Sequence, residues 1–263
     1  MRPDPVTFES IRARLHLRAV LPALATLVAV DSEARTIAEK LDFALRFKSQ
    51  SGAQTTIQFQ NGTIAIDPKS GSPSPFTLHS PSDKQLNKLF LKEGLPVVFP
   101  SWQLWKLPEL LRFQKLSDRL EKVLKADLPD LRANSSLLRN HIKLLIEAVI
   151  PAAFTQLGRH EPKSKEILSG HGGLIEFRVS GHPIQSWIDL QNTETIEYGS
   201  GSPPRSPDFI ITFQNLDTAL QSTRNELDAL AATASGDIAL QGKIPLGEAA
   251  NAVLDRISLY LKI

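Results

Sequence analysis

Three of the six histidines, His160, His171 and His182, recur at intervals of eleven, and imidazoles are the first side chains to weigh for metal or proton chemistry. Metal binding needs ligands gathered on one helix face or one hairpin. This interval crosses expected loops and a strand, so no metal site is expected. The chain has no cysteine, which excludes disulfides, thiolate ligands and a cysteine nucleophile and leaves the redox compartment open. No G-x-S-x-G elbow, H-E-x-x-H helix or long P-loop occurs, and Asp and Glu are scattered without a spacing that pairs two of them. The run Gly199–Ser202 precedes an expected strand, whereas a phosphate loop must open a helix, so it reads as a turn. His171-Gly172-Gly173 reads as the end of a helix. No catalytic residue and no cofactor is expected, and the chemistry left to this chain is that of apolar surface.

That surface is patterned. Ile175, Phe177 and Val179 alternate along one run and Phe209, Ile211 and Phe213 along another, as the inward face of a sheet does. The closing run from Gly236 to Leu261 adds a short strand, a Gly and Pro break, and a helix with apolar residues at Leu246, Ala250, Val253, Ile257 and Leu261. Periodicity does not distinguish a filled core from a hollow one.

The elements that position these residues occur twice. Trp105–Leu124 is a weaker echo of the closing run, with Pro108 matching Pro245 and Asp118-Arg119 matching Asp255-Arg256. AVLPA from Ala19 recurs as AVIPA from Ala148, and GSPSP from Gly71 stands opposite GSPPRSP from Gly201. These separations drift only from 129 to 137 positions, which points to a tandem duplication with small insertions. The first half is expected to run as a helical stretch from Phe8 to about Lys40, interrupted at Pro22, followed by strands at Phe43–Lys48, Gln54–Gln60, Thr63–Asp67 and Phe76–His79. Asn61-Gly62 suits a tight hairpin, Ser82 and Gln85 form a capping box, a further strand is expected within Pro96–Leu104, and Pro108 opens a helix to Lys125. The second half repeats the order: helix over Ser135–Leu168 interrupted at Pro151, then strands at Leu174–Ser180, Gln185–Gln191, Glu194–Tyr198 and Asp208–Gln214. A helix over Leu216–Thr233, a strand at Asp237–Gln241 and the final helix complete it. The junction is expected in Ala126–Asn134, with domains 1–127 and 128–263.

At 263 residues two domains of ordinary size fit. A formal charge of +2 gives little pull on a nucleic-acid backbone, so no nucleic-acid partner is expected. The apolar segment Ala19–Val30 follows Arg12, Arg14 and Arg18 as in a secretory leader. Asp4 and Glu9 interrupt the basic part, however, and AVLPA recurs inside the chain, so a folded helix and a cytoplasmic protein are expected. The triplets Asn61-Gly62-Thr63 and Asn134-Ser135-Ser136 fit the glycosylation pattern, which has meaning only in a secreted chain. The helix Lys106–Lys125, with six basic residues against three acidic, reads as a solvated face, with a membrane-surface face as the alternative.

From about Gly173 to Leu261 the chain resembles the sterol carrier protein type two family. The resemblance rests on the strand pair LIEFRV and SWIDL, then PDFIITF, a helix, GDIALQGKIPL with its Gly236, Asp237 and Gly242, and a terminal helix. The first half resembles it only as a diverged copy: without a gap, Phe99 and Pro100 stand where the second half has Gly236 and Asp237. The resemblance implies an α/β (α+β) fold of two tandem domains, each a mixed, roughly five-stranded sheet covered by helices around an apolar tunnel. It implies non-catalytic binding or carriage of sterols, fatty acids or acyl and prenyl lipids, mainly by the second domain. The tunnel would be lined by Phe177, Val179, Ile211, Phe213, Leu240, Ala250, Val253 and Leu254. The partners implied are an apolar small molecule or lipid, a transient membrane-surface contact and a partner enzyme. The alternative is a scaffold whose domains have lost the cavity.

Overall fold

The structure, a computed structural model, describes residues 4–68, 75–93, 99–100, 107–191, 195–224 and 226–261. The chain divides into two compact units, Met1–Val123 and Leu124–Ile263.

The first unit opens with α1 (Pro5–Leu15), whose N-cap Asp4 accepts hydrogen bonds from the N–H groups of Val6 and Thr7. A π-helical turn follows over His16–Val20, then α2 (Ala23–Val30) and α3 (Ser32–Ala38), the last capped by Asp31. Proline explains the turn. Pro22 has no N–H for the carbonyl four residues back and its ring crowds that carbonyl, so the helix widens and Leu21 N–H reaches the His16 carbonyl instead. Pro5–Val30 is long and apolar enough to cross a membrane; here Leu15, Leu17, Ala19, Ala23, Leu24 and Leu27 are fully buried within the unit.

Strands β1 (Phe43–Lys48), β2 (Gln54–Gln60), β3 (Thr63–Ile66), β4 (Phe76–His79) and the short β5 (Phe99–Pro100) form one sheet in the order β3-β2-β1-β4-β5. Asn61 and Gly62 turn β2 into β3 with φ of 50° and 74°, the conformation that makes this dipeptide a hairpin signal. α4 (Asp83–Leu91) is capped by Ser82, which accepts from Gln85 N–H, and α5 (Leu107–Leu124) closes the unit. Of the strand expected in Pro96–Leu104 only β5 is seen; the rest, with Trp102 and the neighbouring Trp105, lies outside the described residues.

The second unit begins with α6 (Leu128–Ala133) and α7 (Ser135–Leu144), capped by Asp127 and Asn134. A second π turn, Leu145–Val149, precedes α8 (Ile150–His160) and α9 (Pro162–Leu168), so AVIPA straddles the same irregularity as AVLPA. Strands β6 (Gly173–Val179), β7 (Gln185–Leu190), β8 (Ile196–Ser200), β9 (Phe209–Phe213) and β10 (Ile238–Gly242) pair in the order β10-β9-β6-β7-β8. Read from the other edge, this is the first unit's order. The strand directions also agree, since β1–β4 and β6–β9 are parallel and every other pair is antiparallel. Gly199 and Ser200, expected in a turn, end β8 instead; a side chain at Gly199 would run into the Trp187 ring.

The helix expected over Leu216–Thr233 is two helices, α10 (Leu216–Thr223) and α11 (Ala229–Ser235). Asp228 explains the break: its side chain accepts from the N–H groups of Leu230 and Ala231, starting a new helix in mid-run. The final helix is α12 (Ile244–Tyr260).

Candidate lipid cavity of the second unit

Register decides which residues share a face. Phe177, Ile211 and Leu240 stand in one row across β6, β9 and β10, and Val179, Phe213 and Ile238 in the next. The opposite face is polar, with Arg178 donating to Thr212 and Gln185 to Glu176. α12 lies close over the apolar face, where a Cβ on Gly247 would overlap the Phe209 ring. On the same face, at the β8 edge of the sheet, a Cβ on Gly158 of α8 would overlap Ile196.

Where α12, α10 and the second π turn diverge over the sheet, a cavity of about 390 Å³ remains. Its walls come from four places: Leu145, Ile146 and Ile150 at the π turn; Phe177, Phe213 and Ile238 from the sheet; Ser222, Thr223 and Leu227 after α10; and Leu254, Ile257 and Leu261 with Asn251, Asp255 and Ser258 from α12. Leu145, Ile146, Phe177, Phe213, Ile238, Ile257 and Leu261 are buried, whereas Asn251, Asp255 and Ser258 are exposed. The cavity therefore has an apolar floor and a polar rim, the construction of a site for a mostly apolar small molecule.

Phe177, Phe213 and Leu254, three of the residues expected to line a tunnel, border this cavity. Val179, Ala250 and Val253 are buried in the packed core beside it, with Ala250 and Val253 at 0% exposure. Ile211 is half-buried and Leu240 is 41% exposed, because their row runs out towards the sheet edge at β10. The reason for the division on α12 is angular. Leu246, Ala250, Val253 and Ile257 form the stripe packed into the core, and the adjacent stripe of Asn251, Leu254, Asp255 and Ser258 borders the space. The sequence had a signal for the missed wall at Leu145 and Ile146, since Pro151 forecasts an irregular turn just before itself.

A buried ionic clamp holds α12 in place. Glu161, the N-cap of α9 and 1% exposed, receives Arg256 Nε at 2.6 Å and the Tyr260 hydroxyl at 2.7 Å, together with the Ser164 hydroxyl. Burial alone would push the Glu161 carboxyl up, but the bonds from Arg256, Ser164 and Tyr260 outweigh it and hold the group below its ordinary range. Burial, then the bond to Glu161, pushes the Tyr260 phenol well above its ordinary value. The first unit has the same device: Asp31, the N-cap of α3, receives Arg119 from α5 at 2.7 Å. A second cluster joins the strands, as Asp208 accepts from Leu174 N–H at 2.9 Å, Arg205 at 2.9 Å and Lys243 at 2.6 Å. Among the described residues no group of three or more His, Asp or Glu is placed to hold a metal ion.

No curated protein matches the chain by sequence. Among solved structures, sterol carrier protein 2 from Yarrowia lipolytica in its apo form is similar at 18% identity, covering 40% of this chain and 88% of that one with a TM-score of 0.31. A structure titled "UbiJ-SCP2 Ubiquinone synthesis protein" is similar at 17% identity, with coverage of 42% and 88% and a TM-score of 0.34. The sec-alkylsulfatase Pisa1 from Pseudomonas sp. is similar at 16% identity over 52% of this chain and 27% of its own, with a TM-score of 0.31. The family model of the SCP-2 sterol transfer family matches residues 154–255. That segment runs from α8 through the whole second sheet into α12, so the match lies within the second unit and includes the cavity residues Phe177, Phe213 and Ile238.

Proposed function

We propose that the second unit binds an apolar lipid in this cavity and carries or presents it without chemical change. One observation carries the reading: a space with an apolar floor, bordered by Leu145, Ile146, Phe177, Phe213 and Ile238, lies in the second unit, and the family whose model matches most of that unit is one of sterol transfer. Native mass spectrometry of the purified chain, before and after solvent extraction, tests it. A bound lipid mass that extraction removes, and that returns on incubation with lipid vesicles, is the expected result. A clean mass with no uptake sinks the carrier reading.

For the first unit a different observation favours a scaffold role, within a chain we read as a tandem duplication. Three wall positions of the cavity have counterparts there. Leu145 and His16 each begin a π turn. Phe177 and Phe47 each lie two residues beyond the equivalent register pairs Ile175↔Phe209 and Leu45↔Phe76, and Thr223 and Phe90 each stand eight residues after a helix N-cap. In the first unit these residues meet as a plug. The His16 and Phe90 rings stack at 5.0 Å, Phe47 lies 5.8 Å from Phe90, and Phe113 lies 5.9 Å from Phe47. Rings at such separations pack against each other and fill the volume that a ligand would need.

A further inference from the structure

The β10 edge of the second sheet is open. Among the described residues β10 pairs only with β9, and Ala239 to Gly242 are exposed. The ladder fixes which backbone groups face outward. Gln214 N–H donates to the Asp237 carbonyl and Lys243 N–H to the Asp208 carbonyl, in facing pairs, so the odd-numbered residues of β10 bond to β9. The N–H and carbonyl groups of Ile238, Leu240 and Gly242 therefore point away from the sheet, and no described residue bonds them. A bare edge of this kind is a template for another strand. Its flanks are apolar: Leu240 is 41% exposed, Leu230 on α11 just before the strand 82%, and Ile244 just after it 51%. The opposite edge differs. In β8 the same alternation turns the Ile196 carbonyl outward, and Arg159 donates to it.

We propose that a second copy of this chain adds to this edge through its own β10, antiparallel and about a two-fold axis at Leu240. Charge points to a copy rather than a foreign strand. Asp237 and Lys243 stand three residues to either side of Leu240, so this axis sets each Asp237 opposite the Lys243 of the other copy, on the polar face of the sheet. The Lys243 side chain is 61% exposed and has donors beyond its bond to Asp208. The same axis faces Leu240 with itself and Ile238 with Gly242, the three residues whose backbone groups point outward, so every outward group gains a partner. Of the registers the backbone permits, this one alone brings the opposite charges together.

The test uses the full chain. It has no cysteine, so one introduced thiol reports on its own counterpart. Leu240→Cys should place two thiols at the axis with Cα atoms about 5.5 Å apart, the spacing of a bonded antiparallel pair and within disulfide range, and mild oxidation should give a covalent dimer. Ala239→Cys would lie diagonal to its counterpart at about 7 to 8 Å, beyond easy bridging, and should cross-link about tenfold more slowly or worse. Tyr198→Cys, on the β8 edge, is the second comparison. Sedimentation equilibrium of the parent chain should show monomer and dimer in exchange. Asp237→Lys, which sets like charges opposite at both ends of the pairing, should weaken the dimer about tenfold, and less at high salt. Melting curves check that each variant is folded. A parent chain that stays monomeric at about 1 mM overturns the proposal. So does a dimer that Asp237→Lys leaves unchanged, or one that cross-links as fast through Ala239→Cys or Tyr198→Cys as through Leu240→Cys.

Discussion

Thr223→Phe should close the cavity of the second unit by giving it the residue that Phe90 supplies in the first. Thr223 is half-buried at the cavity wall, at the end of α10, where a phenylalanine costs little in helix propensity. If the ring turns inward, a bound lipid loses apolar contact equal to about half of a buried aromatic side chain, roughly 100 Å². At about 25 cal/mol per Å² that is ~2.5 kcal/mol, or on the order of 50- to 100-fold in affinity. Stability should hold or rise slightly, because the ring enters space of about 390 Å³ that no protein atom fills. Ala250→Phe is the matched control: Ala250 is fully buried but outside the cavity wall, so overpacking should cost about 1 to 3 kcal/mol. Titration with a fluorescent lipid and thermal melting of both variants make the measurement. A Thr223→Phe protein that binds lipid as the parent does, or is destabilised as much as the Ala250→Phe protein, would refute the reasoning.

Glu161→Gln should destabilise the second unit by about 2 to 4 kcal/mol, somewhat under the fully buried case because Arg256 keeps 14% exposure. Since the folded Glu161 sits below its ordinary 4.5, its contribution is complete above that value and is lost as the pH falls through the folded one. Melting temperature between pH 7 and 3 should therefore fall less steeply in the variant. Tyr260, raised above its ordinary 10.0, contributes below that pH and loses its contribution above it, so Tyr260→Phe should flatten the alkaline limb. Gly242→Ala should cost about 3 to 5 kcal/mol, because φ is +107° and the new Cβ would lie 2.1 Å from the Asp208 carbonyl oxygen. Gly236→Ala, at φ +83° with open space around it, should cost only about 1 kcal/mol; equal effects in chemical denaturation would contradict the assignment.

The sheets were legible because their signals are local. Period-two alternation marked β1, β2, β6, β7 and β9 to within a residue or so, and Asn61-Gly62 named its turn through a backbone requirement that few residue pairs meet. Helix ends were less legible. Asp228 restarts a helix in a run of good helix formers, and only its bonds to the N–H groups of Leu230 and Ala231 reveal the break that brings Leu227 to the cavity. The cavity itself was beyond periodicity. Ala250 and Leu254 are one turn apart on one apolar helix, yet one is sealed in the core and the other faces open space. What separates them is the angle at which α12 crosses the sheet, and that angle is fixed by long-range contacts such as Arg256 with Glu161 and Gly247 with Phe209.

Those contacts explain how two units with one strand order arrive at different interiors. Frame and filling are set by different residues. The frame rests on the paired π turns, on the parallel central strands, and on an N-cap carboxylate that receives an arginine from the closing helix, Asp31 with Arg119 and Glu161 with Arg256. The filling rests on a few wall positions, where His16, Phe47 and Phe90 stand against Leu145, Phe177 and Thr223. Breaking one partner of a buried charged pair costs several kcal/mol, whereas exchanging apolar side chains at a wall costs little so long as the volume is filled or was never occupied. Substitution at the wall can therefore open or close a cavity while the clamp keeps the closing helix where it is.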